Sequence, residues 1–358
     1  MIPYWVLFSI PAWLALSNSR PLFYGSRRWN DNWKLMFVVL VFMIGLRHEV
    51  GGDWYNYLGH IQIAAYQTLP ETVTSDDPAY GFLNWVAAKG DWGSYLVNTV
   101  CALLFSWGLV VFCRRQPRAW LAMTVAIPYL VVVVAMGYTR QGAAIGLAMV
   151  GLVALADRKL LRFALFIALA AAFHKSAVIL MPLAALASSK RKLFTVMWVG
   201  LFTVVLYWLF LDKAVDTLQE NYLEAQYEST GALIRVFMNA VPAALFLLYR
   251  TRFQWLSRDE RQFWTWLSLI ALVFVVLLVI SPSSTAVDRV ALYMIPLQLF
   301  VLSRIPEVLG SRSGKGNDAW SLAVVGYSAL VQFVWLFFAS HAWAWLPYQF
   351  YPWYWLTH

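Results

Sequence analysis

The 358-residue chain has 61% hydrophobic, 17% aromatic and only 13% charged residues, which excludes a water-soluble globular protein. Its formal net charge is +9. Because basic residues set the orientation of membrane proteins, we interpret this excess as a topology signal and not as a nucleic-acid-binding surface. The sequence predicts an all-α, polytopic integral membrane protein that forms a single domain over residues 1–358.

Apolar runs that suit the ~30 Å hydrocarbon core of a bilayer recur from end to end of the chain. They predict about twelve transmembrane helices, near residues 2–17, 33–46, 95–113, 119–136, 141–156, 161–173, 175–187, 193–211, 232–249, 262–281, 288–303 and 319–340. The first run carries Pro3 and Pro11 and lacks a basic leader. We therefore interpret it as a retained helix and not as a cleaved signal.

The basic residues predict the orientation of these helices. One set of alternate loops holds 20 of the 27 Lys and Arg residues, and such loops stay in the cytoplasm during insertion. Both termini are therefore predicted on the outer, periplasmic side. All five histidines and twelve of the eighteen acidic residues fall on that side too, so we expect the chemistry there. The remaining basic residues lie at or near the outer face: Arg47, Lys89, Arg140, Lys175, Lys213, Arg235 and Arg289.

Two outer segments, residues 47–94 and 212–231, are long enough to fold and mix acidic with aromatic residues. In the second, Val215, Leu218 and Tyr222 recur at helical spacing, which predicts an amphipathic helix in the membrane interface. We expect both segments to contribute to the site.

Several kinds of chemistry have no support in the sequence. It contains no glycine-rich phosphate-binding motif of the ATP-binding type. Cys101 and Cys113 stand twelve residues apart in one predicted helix, about 18 Å by helical rise, so they cannot pair with each other. Cys and His spacings typical of a metal site are also absent. We predict neither a cofactor nor a metal, and one alternative stays open: Asp76 and Asp77 can hold a hard cation, although a solvated turn explains them equally simply.

Four outer cations, Arg140, Lys175, Arg235 and Arg289, stand where a predicted helix begins its run from outside to inside. A helix N-terminus carries partial positive charge, so an exposed cation there is disfavoured by about 0.3–1 kcal/mol. Backbone N–H groups at helix ends and guanidinium groups both suit phosphate oxygens. The pattern therefore predicts a phosphate or diphosphate ligand at the outer surface.

A basic residue at a membrane boundary can also be a snorkelling anchor, and we favour this interpretation for Lys89 and Lys213. Arg235 differs because it lies inside an apolar run and shares a helical face with Asn239. The neighbouring acid Asp288 can pair with Arg289 or with a residue of another helix.

The outer motifs resemble those of the EpsG-like, Wzy-type polysaccharide polymerases. The first has the pattern R-x-x-x-G-x-D-x-x-x-Y and consists of Arg47, Gly51, Asp53 and Tyr57. The others follow in the family's order: DPAYGFLN, TRQGAA, FHKSA, DRVALYMIP and the terminal WLPYQ. In DPAYGFLN, Asp77 and Ala79 stand where the family usually has Glu and Gly. The resemblance covers nearly the whole chain.

This resemblance implies a polymerase of bacterial surface polysaccharide, such as O-antigen, capsule or exopolysaccharide. Its substrate would be an oligosaccharide repeat unit on polyprenyl (undecaprenyl) diphosphate, in the outer leaflet of the inner membrane. The growing glycan would pass from its lipid carrier to the non-reducing end of the next unit. Membrane lipid, a chain-length regulator and a flippase are the other implied partners, and nucleic acid is not.

Residue roles follow from this reaction. A carboxylate or imidazole must accept the proton of the acceptor hydroxyl, an effect worth about 10²–10⁴-fold. Asp53 and His174 are the candidates, with Asp288 orienting either one, and the glycine pair before Asp53 favours it. The expected diphosphate-binding residues are Arg47, Arg140, Arg235 and Arg289. The expected sugar-binding residues are Tyr57, Tyr80, Gln141, Tyr293 and Tyr348.

Three alternatives remain open. Another polyprenyl-linked glycosyltransferase, or a ligase that joins finished glycan to a different lipid, would use the same diphosphate site. A transporter would need charges near the membrane midplane, whereas the informative charges here cluster on one side. A non-catalytic scaffold for an assembly complex is the third alternative.

Overall fold

The computed structural model describes residues 1–17, 29–74, 77–183, 231–281, 284–311 and 317–357, with a few isolated positions between these ranges. Residues 212–230 with Lys213, and most of the predicted span 193–211, lie outside the described residues. The amphipathic helix predicted for that second outer segment therefore stays a prediction.

Nearly all of the described chain is helical. The helices are, in chain order, α1 (Ile2–Ser17), α2 (Asp31–Gly45), α3 (Trp54–Tyr66), α4 (Leu69–Val73), α5 (Pro78–Lys89), α6 (Gly93–Cys113), α7 (Ala119–Ala135), α8 (Thr139–Ala156), α9 (Leu160–Phe173), α10 (Ala232–Leu248), α11 (Arg258–Ile280), α12 (Ser284–Leu302), α13 (Ile305–Leu309), α14 (Asn317–Phe338) and α15 (Tyr351–Thr357). Short 3₁₀ helices cover Lys175–Leu180 and Ala342–Trp345. Strands β1 (Arg47–His48) and β2 (Gln349–Phe350) pair antiparallel.

The prediction of an all-α membrane protein is confirmed by the length and composition of these helices. Five of them, α6, α8, α11, α12 and α14, are long and apolar enough to cross a membrane, and α1, α7, α9 and α10 are shorter apolar helices. Together with α2 they account for ten of the predicted spans. The predicted span 175–187 differs, because it begins as a 3₁₀ helix that breaks from α9 at His174.

The helices alternate in direction, so the bundle has two distinct ends. We call the end at which α2, α7 and α9 finish the site end, and the opposite end the basic end. The described members of the predicted outer cations all lie at the site end. At the basic end, Arg118 contacts Glu307 at 2.7 Å, and only 4% of its side chain is exposed. Arg118 is one of the 20 basic residues of the alternate loops, and the structure buries it in an ion pair.

Glycines bring α6 and α8 into direct backbone contact. A Cβ added to Gly108 would lie 1.9 Å from the carbonyl oxygen of Gly146, and a Cβ added to Gly146 would lie 2.5 Å from Cα of Phe105. Small residues permit this close packing of membrane helices. The contact fixes the site ends of α6 and α8 next to each other.

The first outer segment, residues 47–94, folds into α3, α4 and α5 against the site end. Thr68 and Glu71 form a capping box that starts α4, and Pro78 occupies the first turn of α5, where its missing N–H costs nothing. Tyr57 of α3 and Tyr80 of α5 pack together with their ring centroids 6.1 Å apart. The segment therefore forms a helical layer beside the ends of α6 and α8.

Candidate active site

Arg140, at the start of α8, is tied to two other elements by one carboxylate. Its Nη1 donates to Asp77 Oδ2 at 2.7 Å, and the backbone N–H of Lys175 donates to Asp77 Oδ1 at 3.0 Å. The guanidinium also lies 5.8 Å from the ring centroid of Tyr80. Since 29% of the Arg140 side chain is exposed, Asp77 orients this guanidinium without enclosing it.

His174 lies beside this pair, at the break between α9 and the following 3₁₀ helix. Burial, and then the positive charges of Arg140, Arg289 and Lys175, lower the pKa of His174 to about 3, so the imidazole is neutral at neutral pH. The backbone N–H of Ser176 donates to Nδ1 at 3.4 Å. Because Nδ1 accepts, the ring proton is at Nε2, and His174 can offer an N–H donor to a ligand.

Tyr138, in the short link between α7 and α8, lies within electrostatic range of several predicted site residues. Burial raises the pKa of its phenol, while the charges of Arg235, Asp288, Asp53 and Arg289 also act on it. His174 is likewise within range of Arg289. Tyr138 therefore shares this end of the bundle with charged residues of α10 and α12 and with Asp53, which precedes α3.

Arg235 and Asp288 form a bidentate ion pair between α10 and α12. Arg235 Nε donates to Asp288 Oδ1 and Nη2 donates to Oδ2, each at 2.7 Å. About a tenth of either side chain is exposed. Asp288 therefore holds Arg235, which was one of the alternatives left open by the sequence. Next to the pair, Gln141 Nε2 donates to the backbone oxygen of Arg289 at 2.6 Å and joins α8 to α12.

Asp53 is half-buried at the residue before α3. Its Oδ1 accepts a long 3.5 Å hydrogen bond from Asn56, and the carboxylate does not cap α3. Its charge acts on the buried Tyr57 phenol and on His60, and Arg140 acts on the same two groups. Asp53 therefore shares the site end with Arg140 and keeps access to the surface.

Arg47 differs from the other cations because its side chain is fully buried. Nε donates to Val50 O at 3.0 Å, Nη1 donates to Ile44 O, and Nη2 donates to Asn98 Oδ1 at 3.2 Å and Thr139 Oγ1 at 2.7 Å. Burial lowers the pKa of this guanidinium. The geometry does not support the prediction that Arg47 contacts a diphosphate directly, since protein oxygens surround it.

The C-terminal segment packs against α7 and against the residues that precede α3 and α8. Residues Ile127–Ala135 of α7 form a wider helix with i to i+5 hydrogen bonds, and Val132 O accepts from Trp345 Nε1 at 2.7 Å. The backbone N–H of Gly51 donates to Ala344 O at 2.8 Å. A Cβ on Gly137 would lie 2.6 Å from the Trp345 ring. The indole therefore packs directly beneath the link that carries Tyr138.

Gly51 has no substitute that fits this arrangement. Its φ is +108°, and an added Cβ would lie 2.3 Å from the carbonyl oxygen of Met136. We expect Gly51→Ala to lower the free energy of unfolding by about 2–4 kcal/mol and to displace Asp53. Denaturant unfolding in detergent measures the change, with Gly59→Ala as the matched control because nothing lies within 4 Å of its added Cβ. Equal stability of the two variants would contradict this account.

The predicted sugar-binding residues do not form an open surface. Tyr57, Tyr80, Gln141 and Tyr293 are buried, and Tyr348 Oη donates to Met43 O at 2.9 Å. Their assignment to sugar contacts stays a prediction, and the positions observed suit packing between helices better.

Two residues at the site were missed by the sequence analysis: Tyr138 and Trp345. Tyr138 immediately precedes the recognised motif TRQGAA, so its neighbourhood was a usable signal. Trp345 lies more than 200 residues from its partner Val132, and no local pattern distinguishes it from the interfacial tryptophans around it. Within the described part of the chain, no group of three potential metal ligands occurs.

The low pKa of His174 predicts that the free energy of unfolding depends on pH. Its folded pKa, about 3, lies below the ordinary value of about 6.5, so the unfolded chain binds more protons between these values. Stability is therefore lost as the pH falls below about 6.5. Between pH 7 and pH 5 we expect the wild type to lose about 2 kcal/mol more unfolding free energy than His174→Gln. Unfolding curves at both pH values test this, and identical losses would show that His174 is not buried as a neutral group.

The chain belongs to the EpsG family, whose family model matches residues 33–350, nearly the whole chain. This membership indicates a membrane protein with a polysaccharide polymerase-type, glycosyltransferase-like function. No curated protein and no solved structure matches the chain.

Proposed function

We propose that this protein polymerises polyprenyl-diphosphate-linked oligosaccharide repeat units into a surface polysaccharide, at the outer face of the bacterial inner membrane. The observation that carries the proposal is the gathering of Arg140, Arg289 and the Arg235–Asp288 pair around Tyr138 and His174, at one end of the bundle. Cations grouped at one end of a helical bundle suit a polyanion that arrives from the membrane surface.

The diphosphate would bind to donors that the protein holds in place. Arg140 pairs with Asp77 through Nη1, so other N–H groups of its guanidinium can point to a ligand. His174 offers Nε2–H, and Lys175 lies at the N-terminus of the 3₁₀ helix. As the bond between sugar C1 and the diphosphate oxygen breaks, negative charge grows on the leaving group. Fixed positive charges and N–H donors stabilise this charge. Such electrostatic stabilisation is commonly the largest contribution to the rate enhancement.

Asp53 is the better candidate for the base. The acceptor hydroxyl attacks C1, and its proton must pass to a nearby group. His174 with a pKa of about 3 is a weak base, and its Nδ1 already accepts from Ser176. Asp53 retains surface access beside α3. We therefore assign Asp53 as the proton acceptor and His174 as a hydrogen-bond donor to the diphosphate. Asp288 positions Arg235.

A chain-extension assay tests the function. Purified protein is mixed with lipid-linked repeat unit alone, and the products are separated by size. A ladder of longer lipid-linked chains is the expected result. If reaction requires a second, different acceptor, the protein is a ligase or another transferase. Movement of intact substrate across a vesicle membrane with no change in chain length would identify a transporter. Lys89→Ala is a suitable control, because Lys89 is exposed and its Nζ donates to Ala65 O at 2.9 Å, away from the proposed diphosphate-binding residues.

A further inference from the structure

His60 on α3 is a histidine at the site end to which the proposed reaction gives no role. Its side chain is exposed, and none of the described residues forms a hydrogen bond with its ring nitrogens. The centroid of the imidazole lies 6.3 Å from that of the Tyr57 ring and 6.1 Å from that of the Tyr80 ring. The guanidinium of Arg140 lies 5.8 Å from the centroid of the same Tyr80 ring. His60 and Arg140 therefore border one aromatic surface.

Asp53, Asn56 and His60 form a polar stripe along α3, which we call the α3 stripe. Separations of three and seven residues bring side chains to one face of an α-helix, and the stripe is about 10 Å long by helical rise. Asn56 is exposed, and its Nδ2 donates to Asp53 Oδ1 at 3.5 Å. Nothing lies within 4 Å of a Cβ added to Gly59, so the surface beside the stripe is open. The proposed proton acceptor therefore lies at one end of an accessible polar surface.

The charge state of His60 indicates the chemistry of a ligand on this stripe. Partial burial, and then the positive charge of Arg140, lower the pKa of His60, while Asp53 acts to raise it. The imidazole is therefore mostly neutral at neutral pH, so it offers one N–H donor and one acceptor nitrogen. The amide of Asn56 offers both kinds of group as well. Sugar hydroxyls donate and accept, whereas a diphosphate only accepts and is best bound by cations, so the stripe suits a sugar.

We propose that His60 binds the acceptor oligosaccharide by hydrogen bonds and holds its reacting hydroxyl beside Asp53. The inference rests on the proposed function and deepens it. In the transfer, the acceptor oxygen forms a bond to C1 of the donor sugar, the bond between C1 and the diphosphate oxygen breaks, and the hydroxyl proton passes to Asp53. His60 takes no proton in this step. It orients the acceptor, which lowers the entropic cost of bringing the hydroxyl to C1.

Direct binding of a soluble acceptor tests the inference. The probe is the repeat-unit oligosaccharide, released by mild acid from the lipid-linked repeat unit. It is titrated into the full-length protein in phosphatidylcholine nanodiscs, and saturation-transfer difference NMR measures the bound fraction. We expect saturable binding by the wild type. Signal that grows linearly with oligosaccharide, without saturation, would overturn the inference.

His60→Leu should raise the Kd for this oligosaccharide about fivefold to tenfold, the change expected when one or two hydrogen bonds between neutral groups are lost. His60→Gln keeps a donor and an acceptor, so its Kd should stay within about twofold of the wild type. Gln62→Leu is the matched control, because Gln62 is also exposed on α3 and points about 200° around the helix from His60. Equal Kd values for His60→Leu and Gln62→Leu would overturn the inference. Partial unfolding does not imitate the effect, since it removes sites without weakening those that remain.

This binding needs no lipid diphosphate and no transfer, so it is independent of chain extension. If the wild type binds the oligosaccharide and His60→Leu weakens binding, but no polymer forms, the proposed function fails and the acceptor site stands. With released oligosaccharide as the acceptor and lipid-linked repeat unit as the donor, His60→Leu should raise the acceptor KM and leave kcat unchanged. If polymer forms and His60→Leu keeps the wild-type KM for the acceptor, the acceptor site is wrong and the function stands.

Discussion

Replacing Arg140 or Arg289 by Gln is expected to slow chain extension at least about a hundredfold while leaving the protein folded, since loss of one charge-stabilising donor typically costs about 10²–10³-fold. Both residues act on His174 electrostatically. Gln keeps an N–H donor for Asp77 in the case of Arg140, so the change removes the positive charge more than the packing. The measurement is the initial rate of ladder formation from lipid-linked repeat unit.

Arg158→Gln is the control for this comparison. Arg158 pairs with Asp259 at 2.9 Å at the basic end, and 61% of its side chain is exposed. Such surface pairs contribute only about 0–1 kcal/mol, so wild-type rates are expected. If Arg140→Gln and Arg289→Gln also react at the wild-type rate, these two cations do not stabilise the leaving diphosphate.

Arg47→Ala is expected to act on folding and only through it on activity. The change would remove the Arg47 donor from Ile44 O, Val50 O and Thr139 Oγ1. It would leave Asn98 Oδ1 with the 3.4 Å hydrogen bond from Thr139 Oγ1. Each unsatisfied buried group costs about 1–3 kcal/mol, and partial relaxation limits the total, so we expect a loss of roughly 4 kcal/mol in unfolding free energy. Denaturant unfolding in detergent measures it.

Arg47→Lys separates charge from geometry. Lysine keeps the positive charge but cannot direct a planar fork to α2, α6 and α8 at once. We therefore expect it to recover less than half of the lost stability. If Arg47→Ala is folded and fully stable but binds lipid diphosphate poorly, the structural role of Arg47 is wrong. That result would support direct contact between Arg47 and the diphosphate.

The contrast between Arg47 and Arg140 shows what the sequence could and could not predict. Arg47 follows one apolar run and Arg140 precedes another, and both have aromatic and polar neighbours in the chain. A buried cation and a ligand-binding cation need the same local polarity, so sequence alone treats them alike. What separates them is whether other helices supply oxygens: Asn98 and Thr139 enclose Arg47, whereas Asp77 orients Arg140 and leaves it partly exposed.

The helices themselves were predictable because the bilayer demands long apolar runs. The break at His174 was not, since FHKSAVIL continues an apolar pattern while the structure turns there and ties Lys175 N to Asp77. Pairings across long separations were equally hidden. Asp288 could have paired with its neighbour Arg289, but Arg235 of α10 donates hydrogen bonds to both of its carboxylate oxygens.

The most direct test of the central claim is a cryo-electron microscopy structure of the full-length protein with polyprenyl diphosphate bound. The account predicts the diphosphate at the site end, with its oxygens accepting hydrogen bonds from Arg140 and from His174 Nε2. Diphosphate density at the basic end, or at a position that contacts neither residue, would contradict it.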